Sequence, residues 1–204
     1  SRAFVDAGWE VITVDIDSKF APTIIGDLNH KEVWDALPTK PTIVLASPPC
    51  NCFSMASVYH HWENHLPKDD ATVQAIALAA KIRRGIAGLD PEYALIENPH
   101  PGMLCRIYGR PQHSIRLSDY GSKFKKPTGL WEVGKKRVPF QWLRYEGDYV
   151  KCPRGGRTGI QDLKLKHIKG MGGIGDYIRA PELRALMPLG LSQAVLEAVS
   201  GEGT

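Results

Sequence analysis

The chain has 204 residues, of which 43% are hydrophobic and 24% are charged, the composition of an ordinary globular domain. It lacks an apolar run of about 18 residues, which excludes a membrane-spanning helix, and no secretory signal segment opens the sequence. The four cysteines are too few for a disulfide scaffold at this length, so we expect a reducing, intracellular setting.

The net charge of +4 is distributed unevenly along the chain. Residues 122–169 contain 13 lysines and arginines but only 4 acidic residues, whereas the rest of the chain contains 13 basic and 18 acidic residues. A basic segment on a slightly acidic body favours a polyanionic partner, although a solvated loop region can have the same composition.

In chain order, the hydrophobic pattern predicts alternating helices and strands. A short helix in SRAFVDAG is followed by the strands WEVITVDID and TIIGDL, the helix NHKEVWDALP and the buried strand TIVLAS. A long loop then leads into the helix DATVQAIALAAKIRRGIAGL, with Asp70 as its expected cap. The strand YALIENP, a hairpin of SIRLSDYG with TGLWEVG, and a final helix in APELRALMPLGLSQAVLEAV complete the pattern. This order predicts an α/β fold with an open, mostly parallel sheet that ends in an antiparallel hairpin.

Three of the predicted strands end in polar residues, in the sequences VDID, ASPPC and IENP. Open parallel sheets bind ligands beyond the carboxyl ends of their strands, so these ends indicate a candidate site. Cys50 follows two prolines that stiffen its loop, which suits a nucleophile, although an unpaired cysteine is more often a small buried apolar residue. Glu97 follows an apolar strand and can serve as an acid if burial keeps it protonated; otherwise it merely caps a neighbouring amide.

The motifs PPC and FS after one strand, EN after a later strand, and DID with GDL before them resemble those of the DNA cytosine-5 methyltransferases. The sequences SMAS, HHW, DYG and KKPTGLW are similar to compact, phage-type members, and the resemblance covers about residues 1–134 and the terminal helix. It implies a Rossmann-like methyltransferase sheet, S-adenosylmethionine as the methyl donor and DNA as the partner. It also implies that a cysteine attacks carbon 6 of a cytosine flipped out of the double helix, because a thiol cannot reach a stacked base.

Carried over by position, the resemblance implies roles for individual residues. The catalytic set consists of Cys50 as the nucleophile, Glu97 as the acid that activates the ring, Asn98 and Lys126. The cofactor set consists of Asp15 on the ribose hydroxyls, Ile16 against the adenine, Asp27, Leu28 and Pro49. The DNA-binding set consists of Ser54, Lys123, Lys125, Thr128, Lys135, Lys136, Arg137, Arg154 and Arg157.

The resemblance also divides the chain into three parts. Residues 1–134 form the expected catalytic core, residues 135–176 a small basic target-recognition segment, and residues 177–204 a C-terminal helix that returns to the core. Because the recognition segment is short, few side chains can reach base edges, so we expect a broad or very short target sequence. We further expect a monomer in the cytoplasm of a bacterial or phage-infected cell.

Two features depart from the family pattern. SKFKKPTG replaces a Gln-Arg-Arg element, and its lysines cannot form the planar fork of an arginine. The family's opening strand and glycine-rich turn, which cradle the charged end of the cofactor, are missing ahead of Ser1. Three arrangements are possible. An upstream segment supplies the strand and turn, VLEAVSGEGT supplies them in a circular order, or the place stays empty. We expect an upstream segment, with residues 191–199 helical. We then expect the 204 residues alone to bind the cofactor weakly.

Two other functions are compatible with the sequence. Enzymes that methylate exocyclic amines of DNA bases carry an aromatic residue where this chain has Cys50, and a catalytically inactive DNA-binding module would keep only the sheet. His60, His61 and His65 form a further cluster, but no fourth ligand has matching spacing, so we expect no metal site.

Overall fold

A computed structural model of the chain describes residues 1–122, 126–140 and 187–201. The helices in these ranges are α1 (Arg2–Asp6), α2 (Lys31–Asp35), α3 (Val58–His61), α4 (Asp70–Leu89), α5 (Cys105–Tyr108) and α6 (Leu189–Ser200). The strands are β1 (Val14–Asp15), β2 (Ile24–Ile25), β3 (Ile43–Ala46), β4 (Trp62–Glu63), β5 (Leu66–Pro67), β6 (Tyr93–Pro99), β7 (His113–Arg116) and β8 (Pro127–Glu132). Short 3-10 turns cover Ser18–Phe20 and Leu117–Tyr120.

Four strands form the main sheet, in the order β3-β6-β8-β7. The β3–β6 pair is parallel and aligns Ile43 with Tyr93 and Ala46 with Ile96, whereas β8 is antiparallel to both of its neighbours. The α/β fold and the hairpin of β7 with β8 are therefore confirmed. Its second arm, β8, is the one that lies next to β6.

The main sheet is mixed, which corrects the prediction of a mostly parallel sheet. β1 and β2 pair in parallel as a separate two-stranded sheet, and no strand within the described ranges joins them to β3. The main sheet is mixed because β8 returns from a hairpin and so runs antiparallel to the strand it meets. β1 and β2 are each two residues long.

Apolar side chains cover both faces of the main sheet. One cluster contains Ile96 of β6 and Ile86 of α4, so it lies between the sheet and α4. The other contains Leu95 of β6, Phe4 of α1 and Val195 of α6. Neighbouring residues of β6 thus belong to different clusters, the pattern of a strand that is buried on both faces.

Helix α6 confirms the expectation for the C-terminal end of the chain. Residues 191–199 are helical, and Leu191 and Val195 are buried against the cluster that contains α1. A permuted strand at this position is therefore excluded. The predicted helix began earlier, but residues 181–186 lie outside the described ranges and the described helix starts at Leu189.

The cap of α4 is Asp69, one residue before the predicted Asp70. Its carboxylate accepts hydrogen bonds from the Thr72 backbone nitrogen at 2.6 Å and from the Thr72 hydroxyl at 2.7 Å. These bonds, with a smaller effect of His61, lower the pKa of Asp69 to about 2. Two adjacent aspartates offer the same capping chemistry, so the pattern alone does not distinguish them.

The described helices lack the combination of length and apolar character that crossing a membrane requires. Most of the predicted recognition segment, including Arg154 and Arg157, lies outside the described ranges, as do Lys123 and Lys125.

Candidate active site

The loop after β3 holds Cys50 on a fixed backbone. Its carbonyl oxygen accepts hydrogen bonds from the backbone nitrogens of Phe53 at 3.0 Å and Ser54 at 2.9 Å. Phe53 is 1% exposed and anchors this turn in the core. Cys50 itself is half-buried, and its sulfur is not in a disulfide. A held backbone and partial exposure are what a cysteine nucleophile needs.

Asn98 ties the Cys50 loop to β6. It is fully buried, and its Nδ2 donates a hydrogen bond of 3.0 Å to the carbonyl oxygen of Pro48. Its Oδ1 is buried without a hydrogen-bond partner among the described residues. Leaving a buried acceptor unsatisfied is costly, so this oxygen is a candidate contact for a ligand.

Glu97 is buried beside the same loop, at 9% exposure. Burial raises the pKa of its carboxyl above the ordinary value, while the Lys126 ammonium group and hydrogen bonds from Ser47 and Thr128 act in the opposite direction. Lys126 Nζ lies 3.9 Å from Oε1, which has no hydrogen-bond partner in the described part of the chain. A protonated carboxyl group with an unsatisfied oxygen can donate a hydrogen bond to a ring nitrogen.

Thr128 lies beside Glu97. It is fully buried on β8, and its hydroxyl donates a hydrogen bond of 3.1 Å to the carbonyl oxygen of Lys126. Its predicted role in binding DNA stays a prediction, and the burial of its side chain restricts that role to a base that enters the Glu97 pocket.

The predicted cofactor residues lie at the carboxyl ends of β1 and β2. Asp15 and Asp27 each use Oδ1 to accept a 2.8 Å hydrogen bond from the backbone nitrogen two residues further on. Ile16 is 68% exposed next to Asp15, whereas Leu28 packs against the core cluster of α4. Carboxylates beside an exposed apolar side chain fit a ligand that combines hydroxyl groups with a flat ring, as adenosine does. Pro49 is exposed on the Cys50 loop.

Lys135 and Lys136 lie at the opposite end of the main sheet. Their ammonium groups pair at 2.5 Å with Asp90 and Glu92, which precede β6. Glu97 is five residues beyond Glu92, about 16 Å along a strand. The structure does not bring these lysines, or the adjacent Arg137, to the Cys50 site. Their predicted role in binding DNA stays a prediction, on a surface separate from the Cys50 loop.

His60 and His61 lie in α3 and His65 lies in the turn between β4 and β5, in a segment that folds back on the core. The buried Trp62 donates a 2.6 Å hydrogen bond from Nε1 to the Cys52 carbonyl oxygen. His61 Nδ1 lies 3.0 Å from Asp69 Oδ2, which joins this loop to the start of α4. Within the described ranges, no group of three or more His, Cys, Asp and Glu residues is placed to hold a metal ion.

Two residues of the site were missed by sequence reasoning. Ser47 follows the paired residue Ala46 and so stands beside Glu97, which becomes evident once the β3–β6 register is known. At Gly102, a Cβ atom would lie 2.5 Å from the Pro99 carbonyl oxygen and 2.9 Å from that of Phe53. Glycine therefore lets the Cys50 loop pack against the end of β6, but nothing marks this glycine among the 20 in the sequence.

Comparison with known proteins adds a distant viral relative. The chain is 28% identical over 141 residues to a protein of Frog virus 3 (isolate Goorha) named probable DNA (cytosine-5)-methyltransferase. This similarity supports a relationship with the DNA cytosine-5 methyltransferases. The alignment covers 65% of this chain and 64% of the viral protein, so the chain spans less than two thirds of that relative's length. No protein-family model matches the chain.

Proposed function

We propose that the protein is a DNA cytosine-5 methyltransferase that acts through a covalent bond between Cys50 and the base. The observation that carries the proposal is that Cys50 lies on the loop after β3 and the buried Glu97 lies near the end of β6, the neighbouring parallel strand. Asn98 joins the two ends by its 3.0 Å hydrogen bond to Pro48. The name of the viral relative supports the same substrate class.

Cys50 is the nucleophile in this proposal. Its thiolate forms a bond to carbon 6 of a flipped cytosine, and the ring electrons move toward carbon 5. Glu97 donates a hydrogen bond from its protonated Oε1 to the ring nitrogen, which draws electrons from carbon 6 and favours the attack. Once carbon 5 has been methylated and has lost its proton, the Cys50 sulfur leaves with the electron pair of its bond to carbon 6.

S-adenosylmethionine supplies the methyl group as an electrophilic carbon. Asp15 and Asp27 would accept hydrogen bonds from its adenosine part, and the exposed Ile16 would lie against the adenine ring. The residues present therefore fit the adenosine half of this cosubstrate, with each aspartate keeping one carboxylate oxygen for the ligand while Oδ1 binds the backbone.

Cys50 also distinguishes the proposal from the two alternatives. Transfer to an exocyclic amine needs no thiol, and a DNA-binding module without activity needs neither the thiol nor a buried acid. Lys126 beside Glu97 adds a positive charge to a pocket that would receive an electron-rich ring.

Covalent trapping tests this function on denaturing gels. DNA that carries 5-fluorocytosine should form an adduct in the presence of S-adenosylmethionine, because fluorine on carbon 5 cannot leave as a proton. DNA that carries 5-azacytosine should form an adduct without a methyl donor, because its carbon 6 is more electrophilic. Cys50→Ala should abolish both adducts, whereas Cys105→Ala, a part-buried cysteine outside the site, should keep them. Adducts that survive Cys50→Ala would end the covalent mechanism.

A further inference from the structure

Strand β7 ends at the same edge of the main sheet as the candidate site. β7 and β6 are both antiparallel to β8, so β7 runs in the same direction as β6. Arg116, the last residue of β7, is aligned with Pro127 of β8. The next row of the register contains Thr128 and Pro99, the last residue of β6. Two strand spacings separate β7 from β6, which is about 10 Å. Arg116 therefore lies at the carboxyl edge of the sheet, as Glu97 does.

His100 follows β6 and reaches across β8 to β7. Its Nδ1 lies 2.9 Å from Ser114 Oγ. Ser114 is aligned with Gly129 of β8, and a Cβ atom at Gly129 would lie 3.1 Å from the His100 Cβ. The glycine thus leaves the space through which His100 reaches Ser114. Ser54, on the loop after β3, forms an antiparallel bridge with Gly102, which ties the segment that begins at His100 to the candidate site.

The His100–Ser114 pair offers a hydrogen-bond donor to an outside acceptor in either arrangement of its protons. If the Ser114 hydroxyl donates to Nδ1, the neutral ring carries its hydrogen on Nε2. If Nδ1 donates to Ser114 instead, the hydroxyl hydrogen is left for another acceptor. His100 is half-buried and Ser114 is exposed, so such an acceptor can approach from solvent.

Arg116 adds a positive charge beside this pair. It is exposed and lies two residues from Ser114 on one strand, so the two side chains are on the same face of the sheet. Its guanidinium group has no ion-pair or hydrogen-bond partner among the described residues, whereas Lys135 and Lys136 are paired with carboxylates. The charge of Arg116 is therefore available to an anion.

We propose that His100, Ser114 and Arg116 form a phosphate-binding surface that holds the DNA backbone beside the candidate site. A guanidinium group next to a neutral donor fits a phosphate group, whose oxygens accept hydrogen bonds and carry negative charge. The inference rests on the proposed function, which makes DNA the partner and brings the target base to Cys50. Contacts to the backbone at this edge fix the position of the DNA without reading its sequence.

The salt dependence of DNA binding tests the charge of Arg116. Fluorescence anisotropy of the whole chain on duplex DNA provides the slope of log affinity against log salt. Arg116→Ala should reduce that slope by about 0.9, the value of one phosphate contact, and Arg116→Lys should retain it. Arg84→Ala is the matched control, because it removes the same charge from the exposed side of α4. An unchanged slope in Arg116→Ala, or an equal fall in Arg84→Ala, overturns the proposal.

A double-mutant cycle tests the neutral pair at one salt concentration. Ser114→Ala and His100→Phe, which keeps a ring over Gly129, should each weaken DNA binding by roughly 3–10-fold, the value of one hydrogen bond. The double variant should bind no worse than the weaker single variant, because the pair supplies one donor as a unit. Full affinity in Ser114→Ala, or losses that multiply in the double variant, overturns the paired donor.

Trapping with 5-azacytosine DNA separates this surface from the proposed function. An adduct together with an unchanged slope in Arg116→Ala leaves the proposed function in place and overturns the surface. A reduced slope in Arg116→Ala without any adduct supports the surface and ends the covalent mechanism. Failure of the unmodified protein to bind DNA overturns the surface as well.

Discussion

Glu97 shows how the surroundings of a single residue set its chemistry. An exposed glutamate is ionised at neutral pH and has only acceptor oxygens, whereas activation of a cytosine ring nitrogen requires a proton on the acid. Burial raises the pKa of Glu97 despite the ammonium group of Lys126 at 3.9 Å from Oε1. The protonated form is present below this raised pKa, so methyl transfer should decline as the pH rises through it.

Glu97→Gln should therefore lower kcat by roughly 10²–10⁴-fold with little change in DNA affinity, because the amide keeps the shape of the side chain but has no acidic proton. The pH dependence of stability provides the control. The folded state holds the Glu97 proton more tightly than the unfolded chain, so this contribution to stability is complete below the ordinary glutamate pKa and is lost as the pH rises through the folded pKa. The Glu97→Gln variant should not show this loss of unfolding free energy with rising pH, as measured by chemical denaturation at a series of pH values. A fall in kcat of less than about tenfold would show that Glu97 has another role.

The turn after β8 makes ion pairs with residues that precede β6. Its lysines were predicted to face DNA because they lie in the most basic stretch of the sequence. Lys135 and Lys136 instead pair with Asp90 and Glu92, and their backbone amides bond to carbonyl groups ahead of β6. Charge along a sequence does not reveal such partners, since they are more than 40 residues away in the chain.

Neutralising Lys135, Lys136 and Arg137 together should leave the slope of log affinity against log salt unchanged. Each lost phosphate contact would reduce that slope by about 0.9, so the measurement resolves even one contact. Fluorescence anisotropy on duplex DNA over a series of salt concentrations provides the slopes, and Lys126→Ala is the comparison variant near the candidate site. A lower slope in the triple variant would place this turn on DNA after all.

Across the whole molecule, the sequence predicted what local patterns determine and missed what long-range pairing determines. The buried strand YALIENP, helix α4 and helix α6 follow from periodicity and agree with the structure. Cys50 and Glu97 were identified because each follows an apolar run. The division into two sheets and the place of Ser47 depend on which strands pair and in which register, and single-sequence patterns do not contain that information.

The two separate sheets leave apolar strand edges open near the predicted cofactor residues. Among the described strands, β1 pairs only with β2, and β3 pairs only with β6. Leu45 of β3 is 45% exposed and Ile12, ahead of β1, is 37% exposed, although both lie in strongly apolar runs. These edges are where a further parallel strand would find backbone partners.

The 204 residues should bind S-adenosylmethionine weakly, because Asp15 and Ile16 serve its adenosine while no glycine-rich turn among the described residues lies at the open edges of β1 and β3. Calorimetry measures this directly. Addition of an apolar strand with a glycine-rich turn ahead of residue 1 should raise the affinity by filling the open edges of β1 and β3. Asp15→Asn in the extended chain should then reduce the affinity on the order of 10–100-fold, the value of a hydrogen bond to a charged group. Tight binding by the 204 residues alone would show that the adenosine contacts suffice. An extended chain that binds no better would show that the exposed edges of β1 and β3 do not accept a strand.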